Sequence, residues 1–189
     1  MKKIFIFFVV LLFSFPLVLG SAQTVIPAPI YSPVLELKKN EWVKEVMTDI
    51  KKEKSCLAKN IYFEARNEPF AGQFAVALVT LNRVGNKNFP DTICEVVFEG
   101  LHYASGIPKK HKCQFSWYCD GELDVVKNKS AMKTADKIAQ LAMVSYNSIK
   151  EQGLDYTENA MFYHTFEVNP YWAKSFPKVG RIGDHIFYR

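Results

Sequence analysis

In the body of the chain, apolar residues run almost without interruption from Phe70 to Val84 (FAGQFAVALVTLNRV). Phe74, Val76, Leu78, Val79 and Leu81 spread round every face of a 3.6-residue period. A helix with no wet face is a buried one, so this segment is predicted as the central helix. Gln73 and Thr80 fall on nearly one line of it, and each needs a hydrogen-bond partner there. Ahead of it, Trp42, Val43, Val46, Met47 and Ile50 recur at spacings of three and four. They predict a helix over 40–54, capped by Asn40 and lying on the outside of the domain. Ser55 offers a cap for a further helix on which Leu57, Ile61 and Glu64 share a face. Pro69 ends that helix or opens the next.

Beyond the turn Gly85-Asn86-Lys87-Asn88, Ile93, Val96 and Val97 give Pro90 to Phe98 the apolar side of a short helix. Gly100 to Gly121 shows no period and is expected as a long functional or disulfide-tied loop. A long helix follows, capped by Ser130, ending near Glu151 at Gly153 and burying Met132, Ala135, Ala139, Ala142, Tyr146 and Ile149. The last third changes character: MFYHTFEV and VGRIGDHIFYR are short, aromatic and β-branched. They predict short strands with a turn near Gly183-Asp184, and Trp172 to Phe176 a small helical turn. The expected class is mainly α (α+β), with a few short C-terminal strands.

The first residues set the compartment. Lys2 and Lys3 precede a nearly continuous apolar run from Ile4 to Leu19, and Gly20-Ser21-Ala22 supplies small residues for cleavage. Residues 1–22 are therefore expected as a signal peptide, with no membrane span left after cleavage. Residues 23–39 include QTVIPAPIYSP and read as a proline-rich tether, and 40–189 as one folded domain. The net charge of +5 includes both leader lysines, and no dense basic run remains to suggest nucleic-acid binding. Cys56, Cys94, Cys113 and Cys119 all lie in the body. An even count in an exported chain favours two disulfides, in any of three pairings. The four histidines have no metal-ligand spacing, so neither metal nor cofactor is expected.

The chemistry centres on Glu64. Tyr62, Phe63 and Phe74 would desolvate it and lift its pKa toward the range that suits a general acid, with Arg66 directed away. The plain alternative is a solvated helix-end carboxylate paired with Arg66 or Arg83. Glu68 is either a second glycosidase carboxylate or, as favoured here, a cap for the helix opening at Pro69. His164 and His185 lie among aromatics, a setting typical of structural histidines, although Asp184 would let His185 serve as an oriented polar contact. Tyr163, Tyr171 and Trp172 are core-formers or platforms for sugar faces. A Cys56–His164 nucleophilic pair is the rival chemistry, which a disulfide would preclude.

Together, IYFEARNEPFAGQFAVALVTLNRV, FPDTICEVVF, CQFSWYCDG, FYHTFEVNPYWAKSF and RIGDHIFYR resemble the SleB-type cell-wall hydrolases, the spore-cortex-lytic enzymes. The similarity runs from Cys56 to Arg189. It implies a lysozyme-like fold of the lytic transglycosylase kind, acting on the N-acetylmuramic acid to N-acetylglucosamine β-1,4 bond of peptidoglycan. The family's catalytic glutamate, in its EAR motif, falls on Glu64. Gln114, Phe115 and Ser116 of the QFS block, with Tyr163 and His164, would line the glycan cleft, joined by Gln73 and Tyr171.

The sequence carries no peptidoglycan-binding repeat before the body, and the cysteines around the QFS block suit an envelope enzyme more than a spore-cortex one. The expected partner is the peptidoglycan glycan strand, met by a monomer in the periplasm or cell envelope. Glu64 would protonate the glycosidic oxygen; closure by the muramic C6 hydroxyl then gives a 1,6-anhydro end, and attack by water a reducing end. The alternatives are a non-catalytic glycan-binding module and a cysteine-dependent peptide hydrolase.

Overall fold

The computed structural model describes residues 41–189; the expected leader, tether and Asn40 cap lie outside the described residues. In chain order it has α1 (Glu41–Ala65), α2 (Phe70–Val84), α3 (Ile93–Val97), β1 (Gly100–His102), β2 (Pro108–Cys113), a 3-10 turn (Ser116–Cys119) and α4 (Lys129–Glu151). Then come β3 (Phe162–Thr165), a second 3-10 turn (Tyr171–Ser175), β4 (Lys178–Ile182) and β5 (His185–Tyr188). The result is helix-rich with short C-terminal strands, as expected. No described helix is long and apolar enough to cross a membrane.

Burial on all sides of α2 has a simple cause. One side, with Phe74, Ala77, Leu78 and Leu81, packs into the main core with Leu57 and Ile61 of α1 and Ala135, Ile138, Ala139 and Ala142 of α4. The opposite side, Ala75 and Val79, packs against Phe187 and Ala160 beneath the C-terminal sheet. That sheet is antiparallel in the order β3-β5-β4, and Thr165 pairs with His185, which also pairs with Ile182. Burying the helix between two layers removes any place for a polar stripe.

Its polar residues are used inside. Trp117 Nε1 donates to Asn60 Oδ1 (3.0 Å), Asn60 Nδ2 donates to Thr80 Oγ1 (3.1 Å), and Thr80 donates to the Val76 carbonyl (3.1 Å). This chain links the first 3-10 turn, α1 and α2 without an unpaired atom, as a buried network requires.

Four local expectations are corrected. The two helices proposed on either side of Ser55 are one continuous α1, because nothing between Glu41 and Ala65 breaks the ladder and Ser55 faces solvent. The long loop over 100–121 contains a β1–β2 hairpin, invisible to periodicity because β2 is largely exposed on both faces. Asn128, not Ser130, caps α4: its Oδ1 accepts from the Ala131 amide at 3.0 Å. Glu68 does not cap α2; its carboxylate reaches the β4–β5 turn instead.

The disulfides are Cys56–Cys94, tying α1 to α3, and Cys113–Cys119, tying β2 to the 3-10 turn that follows it. With no free thiol among the described residues, the cysteine-nucleophile alternative loses its nucleophile.

Candidate active site

Glu64 occupies the last turn of α1, against the C-terminal sheet. Three elements fix its surroundings. From α2, Asn82 Nδ2 donates to the Ala160 carbonyl (3.2 Å) and Arg83 Nε to the Met161 carbonyl (2.8 Å), so two consecutive residues grip the segment leading into β3. That grip sets Tyr163, whose hydroxyl donates to Glu64 Oε2 at 3.1 Å. The Arg83 guanidinium lies over the rings of Phe115 (4.9 Å), Phe89 (5.2 Å) and Phe162 (5.8 Å).

Burial raises the Glu64 pKa from its ordinary 4.5 to about 7, against the lowering effects of the Tyr163 hydroxyl and the Arg83 charge. Its place at the negative end of a helix dipole acts in the same upward direction. Burial also pushes the Tyr163 phenol well above its usual range, and Glu64 adds to that rise. Near neutral pH the carboxyl is thus divided between its acid and base forms, and Tyr163 remains a donor.

Two hollows meet at this carboxyl. One, of about 220 Å³, is lined by Glu64, Arg83, Gln114, Phe115, Ser116, Tyr163, His164, Thr165 and His185. The other, of about 240 Å³, is lined by Phe63, Glu64, Arg66, Asn67, Glu68, Thr165, Phe166, Asp184 and His185, among others. Sharing Glu64, Thr165 and His185, the two hollows flank the carboxyl as the two parts of a trough. A separate hollow of about 750 Å³ lies around the Cys56–Cys94 disulfide, away from Glu64.

Of the residues expected at the glycan, the structure gathers Glu64, Gln114, Phe115, Ser116, Tyr163 and His164 round the first hollow. Gln114 and Ser116 are exposed, whereas Phe115 is buried beneath the Arg83 guanidinium. His164 Nδ1 lies 2.8 Å from the Thr165 carbonyl, which can only accept, so Nδ1 is the donor there, and Nε2 is hydrogen-bonded with the Tyr188 hydroxyl (2.9 Å). Gln73 is elsewhere: its Nε2 donates to the Glu68 carbonyl (2.9 Å) and it closes the α1–α2 loop. Tyr171 lines neither hollow and is 90% exposed on the second 3-10 turn. Trp172 is half-buried and packs among Phe162, His164, Phe176 and Tyr188.

Arg83, Thr165 and the Glu68–His185 pair complete the site. Glu68 Oε2 accepts from the Asp184 amide (2.9 Å), and Oε1 lies 3.8 Å from His185 Nδ1, a buried nitrogen with no hydrogen-bond partner. Burial holds the His185 imidazole below its ordinary pKa, opposed by Glu68 and Asp184. Arg83 stands in the LNR segment of the central helix, where an arginine in an otherwise apolar run signals a buried partner. Among the described residues, no group of three or more His, Cys, Asp or Glu is placed to hold a metal ion.

The site is thus a helix pair closed by a small antiparallel sheet over a desolvated glutamate. Residues 67–188 match the model of the Cell Wall Hydrolase family, and the chain belongs to that family. The match begins just after Glu64. The chain is 33% identical over 132 residues to the spore cortex-lytic enzyme of Bacillus cereus, and 32% identical over 133 residues to that of Bacillus subtilis. Each alignment covers 69% of this chain, but only 42% and 35% of those relatives' lengths. Among solved structures it is similar to the catalytic domain of the germination-specific lytic transglycosylase SleB from Bacillus anthracis, with TM-score 0.52 and 32% identity. That alignment covers 72% of this chain and 93% of the other.

Proposed function

We propose that this protein is an exported peptidoglycan glycosidase that cuts the N-acetylmuramic acid to N-acetylglucosamine β-1,4 bond with Glu64 as general acid and base. The observation that carries the reading is one carboxyl, raised by burial to about 7 and held by Tyr163 between the two parts of a trough. The similarity to spore cortex-lytic enzymes supplies the substrate class.

The acid form of Glu64 gives its proton to the glycosidic oxygen as the C1–O bond breaks through an oxocarbenium-like state. The carboxylate left behind is met by the Tyr163 hydroxyl and the Arg83 charge, both already in place, so little reorganisation accompanies the transfer. Glu68 and Asp184 also line the trough, but Glu68 accepts the Asp184 amide and Asp184 pairs with Arg181 at 3.0 Å. With those carboxylates engaged, the sugar's own 2-acetamido group stabilises C1. Glu64, now a base, takes the proton of the muramic C6 hydroxyl, whose oxygen closes on C1 and leaves a 1,6-anhydro end. Gln114 and Ser116, exposed on the wall, donate to and accept from sugar hydroxyls and acetamides. Residues 1–22 as a leader and 23–39 as a tether put the catalytic body where peptidoglycan lies.

Digestion of purified sacculi followed by mass spectrometry tests this. The wild type releases fragments lighter by one water than hydrolytic products, and Glu64→Gln releases none while keeping its fold. Substantial turnover by Glu64→Gln overturns the assignment; reducing ends from the wild type would keep Glu64 and replace the transglycosylase by a hydrolase.

A further inference from the structure

The β1–β2 hairpin is used by none of the chemistry above, yet it grows directly out of the trough wall. Residues 100–113 (GLHYASGIPKKHKC) contain three lysines and two histidines and no acidic residue. Lys110 and Lys112 are exposed, and none of Lys109, Lys110 and Lys112 reaches ion-pair distance of a carboxylate among the described residues. Lys110 lies against Gly121, between Asp120 and Glu122 in the sequence, but forms an ion pair with neither; the Asp120 carboxylate accepts from the Glu122 amide at 2.7 Å. Leu101, Tyr103 and Ile107 add exposed apolar area to the same hairpin.

Position links this charge to Glu64. Strand β2 runs without a break into the QFS block, and Cys113–Cys119 locks its end to the 3-10 turn carrying Ser116. The Gln114 amide donates to the Glu99 carbonyl at 3.0 Å, which fixes the hairpin's base. Lys112, Leu101, Gln114 and Glu99 border a hollow of about 360 Å³, and Gln114 also borders the hollow that holds Glu64. A polymer lying in the trough therefore passes one lining residue before it meets the exposed lysines of the hairpin.

We infer that the hairpin binds the carboxylate-bearing peptides that branch from the glycan strand, so the enzyme prefers peptide-substituted peptidoglycan to bare glycan. The charge is complementary and the surface continuous with the catalytic trough. This rests on the peptidoglycan reading above but not on Glu64 being the catalyst.

The test is binding of Glu64→Gln, which leaves the polymer uncut, to intact sacculi by co-sedimentation and to amidase-released, peptide-free glycan strands immobilised on beads. Adding Lys110→Gln and Lys112→Gln weakens binding to intact sacculi about threefold to tenfold, as two exposed ion pairs would. It weakens binding to stripped glycan, which keeps one lactyl carboxylate per muramic residue, by less than it weakens binding to intact sacculi, and Lys110→Arg with Lys112→Arg restores binding. Equal loss on both polymers, or no loss on the intact one, overturns the proposal, as does tighter binding to phosphatidylglycerol vesicles than to sacculi. Because binding is measured on an inactive variant, residual cleavage by Glu64→Gln would unseat the catalytic assignment alone.

Discussion

A carboxyl kept neutral by burial works against folding once the pH is high enough to ionise it. Glu64 titrates near 7 in the folded chain against 4.5 when exposed. Between those values the unfolded chain releases this proton and the folded chain keeps it, so stability falls as pH rises through that window. The loss is complete above pH 7 and absent below 4.5; the shift corresponds to roughly 3 kcal/mol. Glu64→Gln has the same shape and no proton to lose. Its stability relative to the wild type should therefore be independent of pH below 4.5 and rise by that amount toward pH 8. For a body of this size the gain is a relative increase in Tm of roughly 6–12 °C. Thermal unfolding of both proteins from pH 4 to 8.5 measures it. Other titrating groups are common to both proteins and largely cancel. Parallel Tm curves across the whole range would refute the desolvation on which the function rests.

Other consequences are independent of catalysis. Trp117→Phe removes the donor to Asn60 Oδ1 and leaves a buried acceptor unpaired, so urea denaturation should show a loss of about 1–3 kcal/mol. Gly183 has φ +61°, and an added Cβ there would collide with the Glu68 carboxylate; Gly183→Ala should lose about 1–3 kcal/mol in the same assay and slow sacculus digestion. The disulfides differ in loop length, 38 residues for Cys56–Cys94 and 6 for Cys113–Cys119. Replacing both cysteines of a pair by alanine should therefore cost roughly 4 kcal/mol for the first and roughly 2 kcal/mol for the second.

What could be read from the chain divides along physical lines. The central helix was legible because an apolar run of that length has one stable solution, and the C-terminal strands because aromatic and β-branched residues lie between Gly and Pro. Continuity through Ser55 was obscured by a good capping residue in mid-helix, although the absence of Gly and Pro from 41 to 65 was the available signal. The β1–β2 hairpin escaped because wet strands carry no hydrophobic alternation; Ser105-Gly106 was its one turn mark. At the site, Glu64 stood out locally, but its hydrogen-bond partner Tyr163 lies 99 residues further on, and Arg83 belongs to a different helix. Phe74, expected to desolvate Glu64, stacks instead with Phe70 and Tyr156, away from both hollows. Such pairings are created by tertiary packing and leave no local period.

The most direct measurement is the pH dependence of kcat/KM on soluble glycan fragments, for the wild type and Tyr163→Phe. A proton donor titrating near 7 gives a falling limb there, and loss of the Tyr163 hydroxyl, which holds the Glu64 pKa down, moves that limb to higher pH. A falling limb near 4.5, or one that stays put in Tyr163→Phe, would contradict proton delivery by Glu64.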